Sequence, residues 1–346
     1  MVSILKRVAL YGGALIVALA IGIFAWLLWP ISVNEAKADP AVLVANEIAT
    51  GEIFYEEGYL GPDGARTHYV TAGQGEPIIF VHGFPSYWFS MFGLMEAFKA
   101  DYQVIAIDGL GVGRSDAPAK VEAYKLERLV GSIEQVVEHF DFERVHLVGH
   151  DWGVALVTAY AQAYPEKVSA VTTMGALPHN VLLARLEHDE DHREIFAYTS
   201  YFASANPILL KAMGAKKQVW ETTYAPLLEK GFLSEAQAIQ MQKDMGNPKR
   251  LDRLINWYRA NLVDYSDISA ADYWPAKSAR LTAPAIFIYG DEDVVVTDPL
   301  VSDFQALSDD LRVVALAGVG HRPHFEARER VISEIAALIA RSRENP

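Results

Sequence analysis

The stretch Arg144-Val145-His146-Leu147-Val148-Gly149-His150-Asp151-Trp152-Gly153 constrains this chain more than any other, because an apolar run stops at Gly-X-Asp-X-Gly and then opens into Val154-Ala155-Leu156-Val157. The pattern predicts a strand, a sharp turn and a helix. Glycines on either side of the central residue let the backbone turn so tightly that its side chain stands exposed above the end of the strand. That residue is Asp151. A carboxylate in this seat cannot begin serine-type acyl transfer, but it can attack a saturated carbon and form an ester that water later cleaves. The other role open to it is that of a helix N-cap, common for Asp.

Around this turn the chain alternates strands and helices. Phe54 to Leu60 and Thr67 to Thr71 flank the turn Gly61-Pro62-Asp63-Gly64. Pro77 to Val81 is a continuous apolar run suited to a strand buried on both faces, and it leads into His82-Gly83-Phe84-Pro85. Tyr102 to Asp108, Val168 to Met174, Pro284 to Gly290 and Leu311 to Leu316 read as further strands, with a helix from about Lys125 to His139 and an amphipathic helix at the C-terminus. This is the signature of a largely parallel α/β sheet covered on both faces. Between Pro178 and Ala276 helical patterns and aromatics dominate, which predicts an inserted helical cap over 178–276, with the core formed by 39–177 and 277–346. The glycine-rich Gly109-Leu110-Gly111-Val112-Gly113 lacks the helix and acidic partner of a dinucleotide fingerprint.

The N-terminal segment, 1–38, has a different character. Lys6 and Arg7 precede an apolar stretch from Val8 to Trp29, about 22 residues and so enough to span a bilayer. Ala36-Lys37-Ala38 before Asp39 also offers a small-X-small cleavage site. The expectation is a membrane anchor with the globular part outside the cytoplasm, or a secreted form cut near Ala38, followed by a short linker around Asn34 to Val44. A net charge of -14 argues against nucleic acid as a partner, and the absence of cysteine removes thiolate chemistry and Cys-based metal sites.

An ester on Asp151 needs a base to activate water and an acid to orient that base. Gly318-Val319-Gly320-His321 places His321 in a loop before the last helix, with His324 as its competitor. Gly290-Asp291-Glu292-Asp293 supplies three acids, of which Asp293 fits best from its spacing; a solvated turn accounts for the other two. His188 and His192 stand four residues apart, as two helical metal ligands could, but within a strongly charged run that reads as cap surface.

Through His82-Gly83-Phe84-Pro85, Gly149-His150-Asp151-Trp152-Gly153, Gly290 to Asp293 and Gly320-His321, the chain resembles an epoxide hydrolase of the α/β-hydrolase fold over roughly residues 52 to 342. The resemblance implies an eight-stranded, mostly parallel sheet, no cofactor and no metal, and a small hydrophobic epoxide with water as substrates. It implies that the backbone N–H groups of Phe84 and Trp152 form an oxyanion hole. It also implies two cap tyrosines that protonate the opened ring, since a phenol is neutral at pH 7. Ala197-Tyr198-Thr199-Ser200-Tyr201-Phe202 and Asn256-Trp257-Tyr258-Arg259 resemble the segments that hold them, giving Tyr198, with Tyr201 open to confusion with it, and Tyr258. Leu110 departs from the Arg or Pro of many relatives, in a supporting turn. The runner-up activity is haloalkane dehalogenase, which shares the Asp and His. A non-catalytic membrane-anchored binding protein is the reading from another class, and no Gly-X-Ser-X-Gly supports a serine esterase.

Overall fold

The computed structural model describes residues 17–23, 25–26, 28–35, 37–206, 215–244, 248–262, 265 and 267–344. Eight strands form one sheet: β1 (Glu56–Leu60), β2 (Thr67–Ala72), β3 (Pro77–Val81), β4 (Gln103–Ile107), β5 (Val145–His150), β6 (Val168–Met174), β7 (Ala285–Gly290) and β8 (Leu311–Leu316). Their spatial order is β1-β2-β4-β3-β5-β6-β7-β8, with β2 antiparallel to both its neighbours and every later pairing parallel. Every residue of β3 and β5 is buried, as strands covered on both faces must be. The helices Leu126–His139 and Trp152–Ala163 pack together on the sheet, and Phe92–Phe98 packs with the C-terminal Arg328–Glu344. The apolar stripe expected of that last helix is real: Val331, Ile335, Leu338 and Ile339 are all buried.

Between β6 and β7 the described residues are helical, from His179–His188 to Pro248–Asn261, with no strand among them. The two ends of this insertion are tied by Asn180, whose Nδ2 donates to the carbonyls of Lys277 (3.2 Å) and Ala279 (3.0 Å).

The expected linker differs from what the fold contains. Pro40–Ile48 is a helix, N-capped by Asp39, whose Oδ1 accepts from the Ala41 amide at 2.9 Å. The residues before it are fastened down. Ile31 pairs with Ala117, the Val33 amide donates to Asp116 Oδ1 (2.7 Å), and Arg114 donates to the carbonyls of Asn34 (3.1 Å) and Lys37. Among the described residues no helix is long and apolar enough to cross a membrane. Of the span expected at Val8 to Trp29, residues 8–16, 24 and 27 lie outside the described residues; 17–23 are helical, and the described residues from Val17 to Trp29 are all exposed.

Candidate active site

The turn after β5 is built by contacts too close for side chains. A Cβ on Gly153 would lie 2.1 Å from the Val81 carbonyl oxygen, and one on Gly149 would lie 2.6 Å from that of Gly153. Asp151 itself sits at φ 52° and ψ -121°, a left-handed conformation rarely taken by a residue with a side chain. Its carboxylate makes no cap bond to the helix it precedes, which disposes of the capping alternative. Instead Oδ1 accepts from the Phe84 amide at 2.6 Å, and the Trp152 amide also hydrogen-bonds the carboxylate. Both backbone donors named from the sequence therefore point at Asp151.

Asp293 and His321 arrive from the loops after β7 and β8. His321 Nδ1 lies 2.8 Å from Asp293 Oδ2, and its Nε2 lies 3.4 Å from Asp151 Oδ2. With the Nδ1 proton given to Asp293, Nε2 faces the reacting side. Burial opposes charging of the His321 ring, but Asp151 and Asp293 outweigh it and raise the pKa to about 9. Burial likewise opposes ionisation of Asp151, yet the hydrogen bond with His321 and the neighbouring histidine charge bring its carboxyl below the ordinary value. Asp291 and Glu292 are exposed, and Asp291 accepts from the Gly318 amide at 2.8 Å as a turn residue.

The two tyrosines meet Asp151 in one cavity, lined also by Trp152, Leu177, Leu182 and Leu262. Tyr258 is buried, edge-on to Trp152 (ring centroids 5.1 Å apart) and to Phe84 (5.0 Å), and hydrogen-bonded with the Trp152 side chain. Burial, the Asp151 charge and Tyr198 raise its pKa well above that of a free phenol. Tyr198 is 39% exposed, but its hydroxyl is enclosed enough that burial first, then Asp151, raises its pKa too. Tyr201 is 54% exposed and does not line the cavity, so the geometry selects Tyr198 from that segment.

His150, to which the sequence reading gave no role, and His324, the competitor for the base, lie behind His321. His150 Nε2 is 2.8 Å from the His321 carbonyl oxygen, and its ring lies tilted against that of His324 with centroids 4.3 Å apart. Burial pushes His150 down to about 3 and His324 well below the ordinary histidine value, so both are neutral, and His150 donates to the carbonyl that positions the His321 loop. His324 is buried away from Asp151's reach as a base. The only sign of this pair in the sequence was the letter before Asp151 and the spacing of three from His321.

The glycine-rich loop has an internal use. Gly113 would place a Cβ 2.0 Å from Asp108 Oδ2, so the loop closes on the Asp108 carboxylate, which accepts from the amides of Trp88 and Arg114 at 2.8 Å each. Asp108 Oδ2 also meets His68 Nδ1 at 2.8 Å, and His68 Nε2 meets Glu57 Oε2 at 2.9 Å. Asp39, Glu57 and His68 lie within 4.8 Å of one another, but both ring nitrogens of His68 are engaged by acids, which leaves no lone pair for a metal. His188 and His192 do not converge on a metal either: His188 is exposed beside Glu187, and His192 is buried against Thr297 Oγ1 (2.8 Å).

Comparison with known proteins places these residues in context. A family model described as alpha/beta hydrolase fold matches residues 76–327. Epoxide hydrolase 4 of Mus musculus is 28% identical over 271 residues, covering 75% of this chain and 71% of its own. Epoxide hydrolase 3 of Xenopus tropicalis is 26% identical over 283 residues, covering 78% and 72%. The crystal structure of Bacillus megaterium epoxide hydrolase in complex with an inhibitor superposes with a TM-score of 0.73 at 22% identity, over 82% of this chain and 100% of that one.

Proposed function

This chain belongs to the α/β-hydrolase fold family, and from that membership we propose that it is an epoxide hydrolase, converting an epoxide and water into a vicinal diol through an ester on Asp151. The observation that carries the reading is the meeting of Asp151, held by two amides and His321, with Tyr198 and Tyr258 in one apolar cavity. The relatives named epoxide hydrolase support it, and so does the engagement of the Trp152 side chain with Tyr258, which occupies a donor that a departing halide would need. A complete Asp-His-Asp set disfavours a non-catalytic binding protein.

The chemistry follows from the charges. Asp151 Oδ1 is fixed by the Phe84 amide, leaving Oδ2 to attack a ring carbon while the C–O bond breaks and Tyr198 and Tyr258 protonate the departing oxygen. His321, protonated in the free enzyme, returns a proton to the tyrosine and becomes neutral. Esterification also removes the Asp151 charge that helped to hold the His321 pKa up, so the ring is now a base. It takes a proton from water, whose oxygen adds to Asp151 Cγ; the oxyanion on Oδ1 rests on the Phe84 and Trp152 amides, and as the ester bond breaks the remaining proton of the added hydroxyl passes to the departing oxygen, so the diol leaves and Asp151 is left as a carboxylate. Asp151 and protonated His321 are restored.

Intact-protein mass spectrometry tests this sequence of steps. His321→Gln exposed to an aryl epoxide gains the mass of one whole epoxide, mapped to the peptide holding Asp151. Wild type quenched at pH 5.5 carries more ester than at pH 8, because the hydrolytic step needs neutral His321. A gain seen only with haloalkanes sinks the epoxide reading, and an ester fraction indifferent to pH sinks the role given to His321.

The helical insertion acts as the cap over this site, with 178–276 as its extent. The exposed apolar residues from Val17 to Trp29 join with those from Val8 to form the anchor, with Lys6 and Arg7 in the cytoplasm and the catalytic body outside it. Single apolar residues on a surface are ordinary, but Val17, Leu19, Ile21, Ile23, Trp26, Leu28 and Trp29 are exposed together, and the apolar sequence from Val8 to Trp29 is long enough for lipid to cover. The full chain is expected to stay with membranes in alkaline carbonate and to leave them when residues 1–30 are deleted. Release of the full chain by carbonate contradicts the anchor.

A further inference from the structure

A second cavity shares no lining residue with the one around Asp151. It lies between the loop Gly111–Gly113, the Tyr87 backbone turn and the helices of the insertion that carry Val219 and Leu254. Its walls are mostly apolar, from Pro85, Val112, Val219, Leu251 and Leu254. Three polar groups face it: Arg250, Tyr87 and Asp244.

These groups are incompletely satisfied. Arg250 donates from Nη1 to two backbone carbonyls, Ser115 at 2.9 Å and Val112 at 3.4 Å, and among the described residues it has no carboxylate partner. A half-buried guanidinium without an acid is an unusual arrangement, since Arg in such positions is normally paired with a carboxylate or phosphate. Tyr87 is 5% exposed, and its hydroxyl reaches Asp244 only loosely, without a hydrogen bond of proper geometry. Asp244 accepts from Gln240 at 2.9 Å, and burial raises its pKa above the ordinary carboxyl value.

The place of the cavity in the fold says where its ligand comes from. The loop that lines it, at Val112 and Gly113, continues into Arg114, Asp116 and Ala117, the residues that fasten the segment from Ile31 to Lys37. Arg253, one turn from Arg250 on the same helix, donates to the Trp29 carbonyl at 3.4 Å, at the end of the exposed apolar helix. The loop and the helix that line the cavity are thus the ones that hold the segment from Trp29 to Lys37.

We propose that this second cavity binds a long-chain carboxylate, its head group accepting hydrogen bonds from Arg250 and Tyr87 and its chain lying along Val112, Val219, Leu251 and Leu254. The site is separate from catalysis, so it holds whether or not epoxides are the substrate. A charge-assisted bond from a partly desolvated guanidinium distinguishes a carboxylate from an uncharged head group.

The test uses the full chain in lipid nanodiscs, irradiated with an oleate analogue that carries a mid-chain diazirine. Labelling is expected on the peptides holding Val219 or Leu251 to Leu254, reduced at least tenfold by excess oleate and not by oleyl alcohol. Arg250→Gln should lower that labelling at least tenfold while turnover of a small epoxide stays within twofold of wild type. Val219→Trp, which fills the cavity from the opposite wall, should abolish the same labelling. The proposal is overturned by label confined to the peptides of Leu177, Leu182 or Leu262, by equal competition from oleyl alcohol, by labelling that Arg250→Gln leaves unchanged, or by no labelling of wild type.

Discussion

Asp151→Asn is expected to lower epoxide turnover by about four orders of magnitude or more while leaving the fold intact, in keeping with the loss that follows removal of an enzyme's nucleophile. The size of the effect comes from the chemistry and not from disruption. An Asn side chain keeps an oxygen for the Phe84 amide, which now donates to Asp151 Oδ1 at 2.6 Å, and it fills the same space above β5. It cannot form an ester with a ring carbon. A second readout is independent of substrate. His321 owes its raised pKa to two carboxylates, and the variant removes one, so the His321 titration followed by NMR should move down from about 9. Loss of activity without that movement would mean that Asp151 and His321 are not coupled as their 3.4 Å approach implies. Retained turnover would remove Asp151 from the reaction altogether.

Asp108→Ala should destabilise the protein by about 3–5 kcal/mol, the usual result of removing one partner from a buried ion pair. Asp108 is fully buried, and its two oxygens serve the Trp88 and Arg114 amides and His68 Nδ1 at once. The substitution leaves all three donors without an acceptor and His68 with Glu57 alone. In thermal unfolding this is a fall on the order of 10 °C; a change within about 2 °C would show that the network is dispensable. The pH dependence has a definite sign. Burial opposes charging of His68, but Asp108 and Glu57 raise its pKa to about 9. A raised folded-state pKa gives stability that is fully present below the unfolded value near 6.5 and is lost as pH rises through 9. His321 contributes in the same window and with the same sign. Wild type should therefore lose stability between pH 7 and pH 9.5, and Asp108→Ala should lose less, since the part of the His68 shift that comes from Asp108 is already gone.

The parts of this protein that could be read from sequence are those in which one physical requirement marks consecutive residues. Pro77–Val81 was legible as a strand to the residue because a parallel strand inside a sheet needs an unbroken apolar run, and Val168–Met174 and Leu311–Leu316 because they are rich in β-branched and apolar residues. The turn at Asp151 was legible because only glycine fits beside it. The network of Asp39, Glu57, His68, Trp88 and Asp108 was not. Its members come from five separate segments, and a buried hydrogen bond leaves no period in the sequence. The helix Pro40–Ile48 was missed for a related reason: it begins with a proline in a stretch whose composition reads as linker, and its stability comes from Asp39 and from packing on the insertion. Tyr198 and Tyr201 both carried the right chemistry, and only their placement on a short helix, one turned to the cavity and one to solvent, separates them.

The helical insertion enters the chain after β6 and leaves before β7, while Asp151, Asp293 and His321 follow β5, β7 and β8. The groups proposed to form and cleave the ester are thus encoded outside the stretch that carries Tyr198 and Tyr258. Asn180 ties the two ends of the insertion together at Lys277 and Ala279, so the segment leaves and rejoins the sheet at one place. Recombination at those two points would transplant the proton donors together with the walls of the cavity. The kind of leaving group an ancestral Asp nucleophile could expel would then change in one genetic event, ahead of any substitution in the triad.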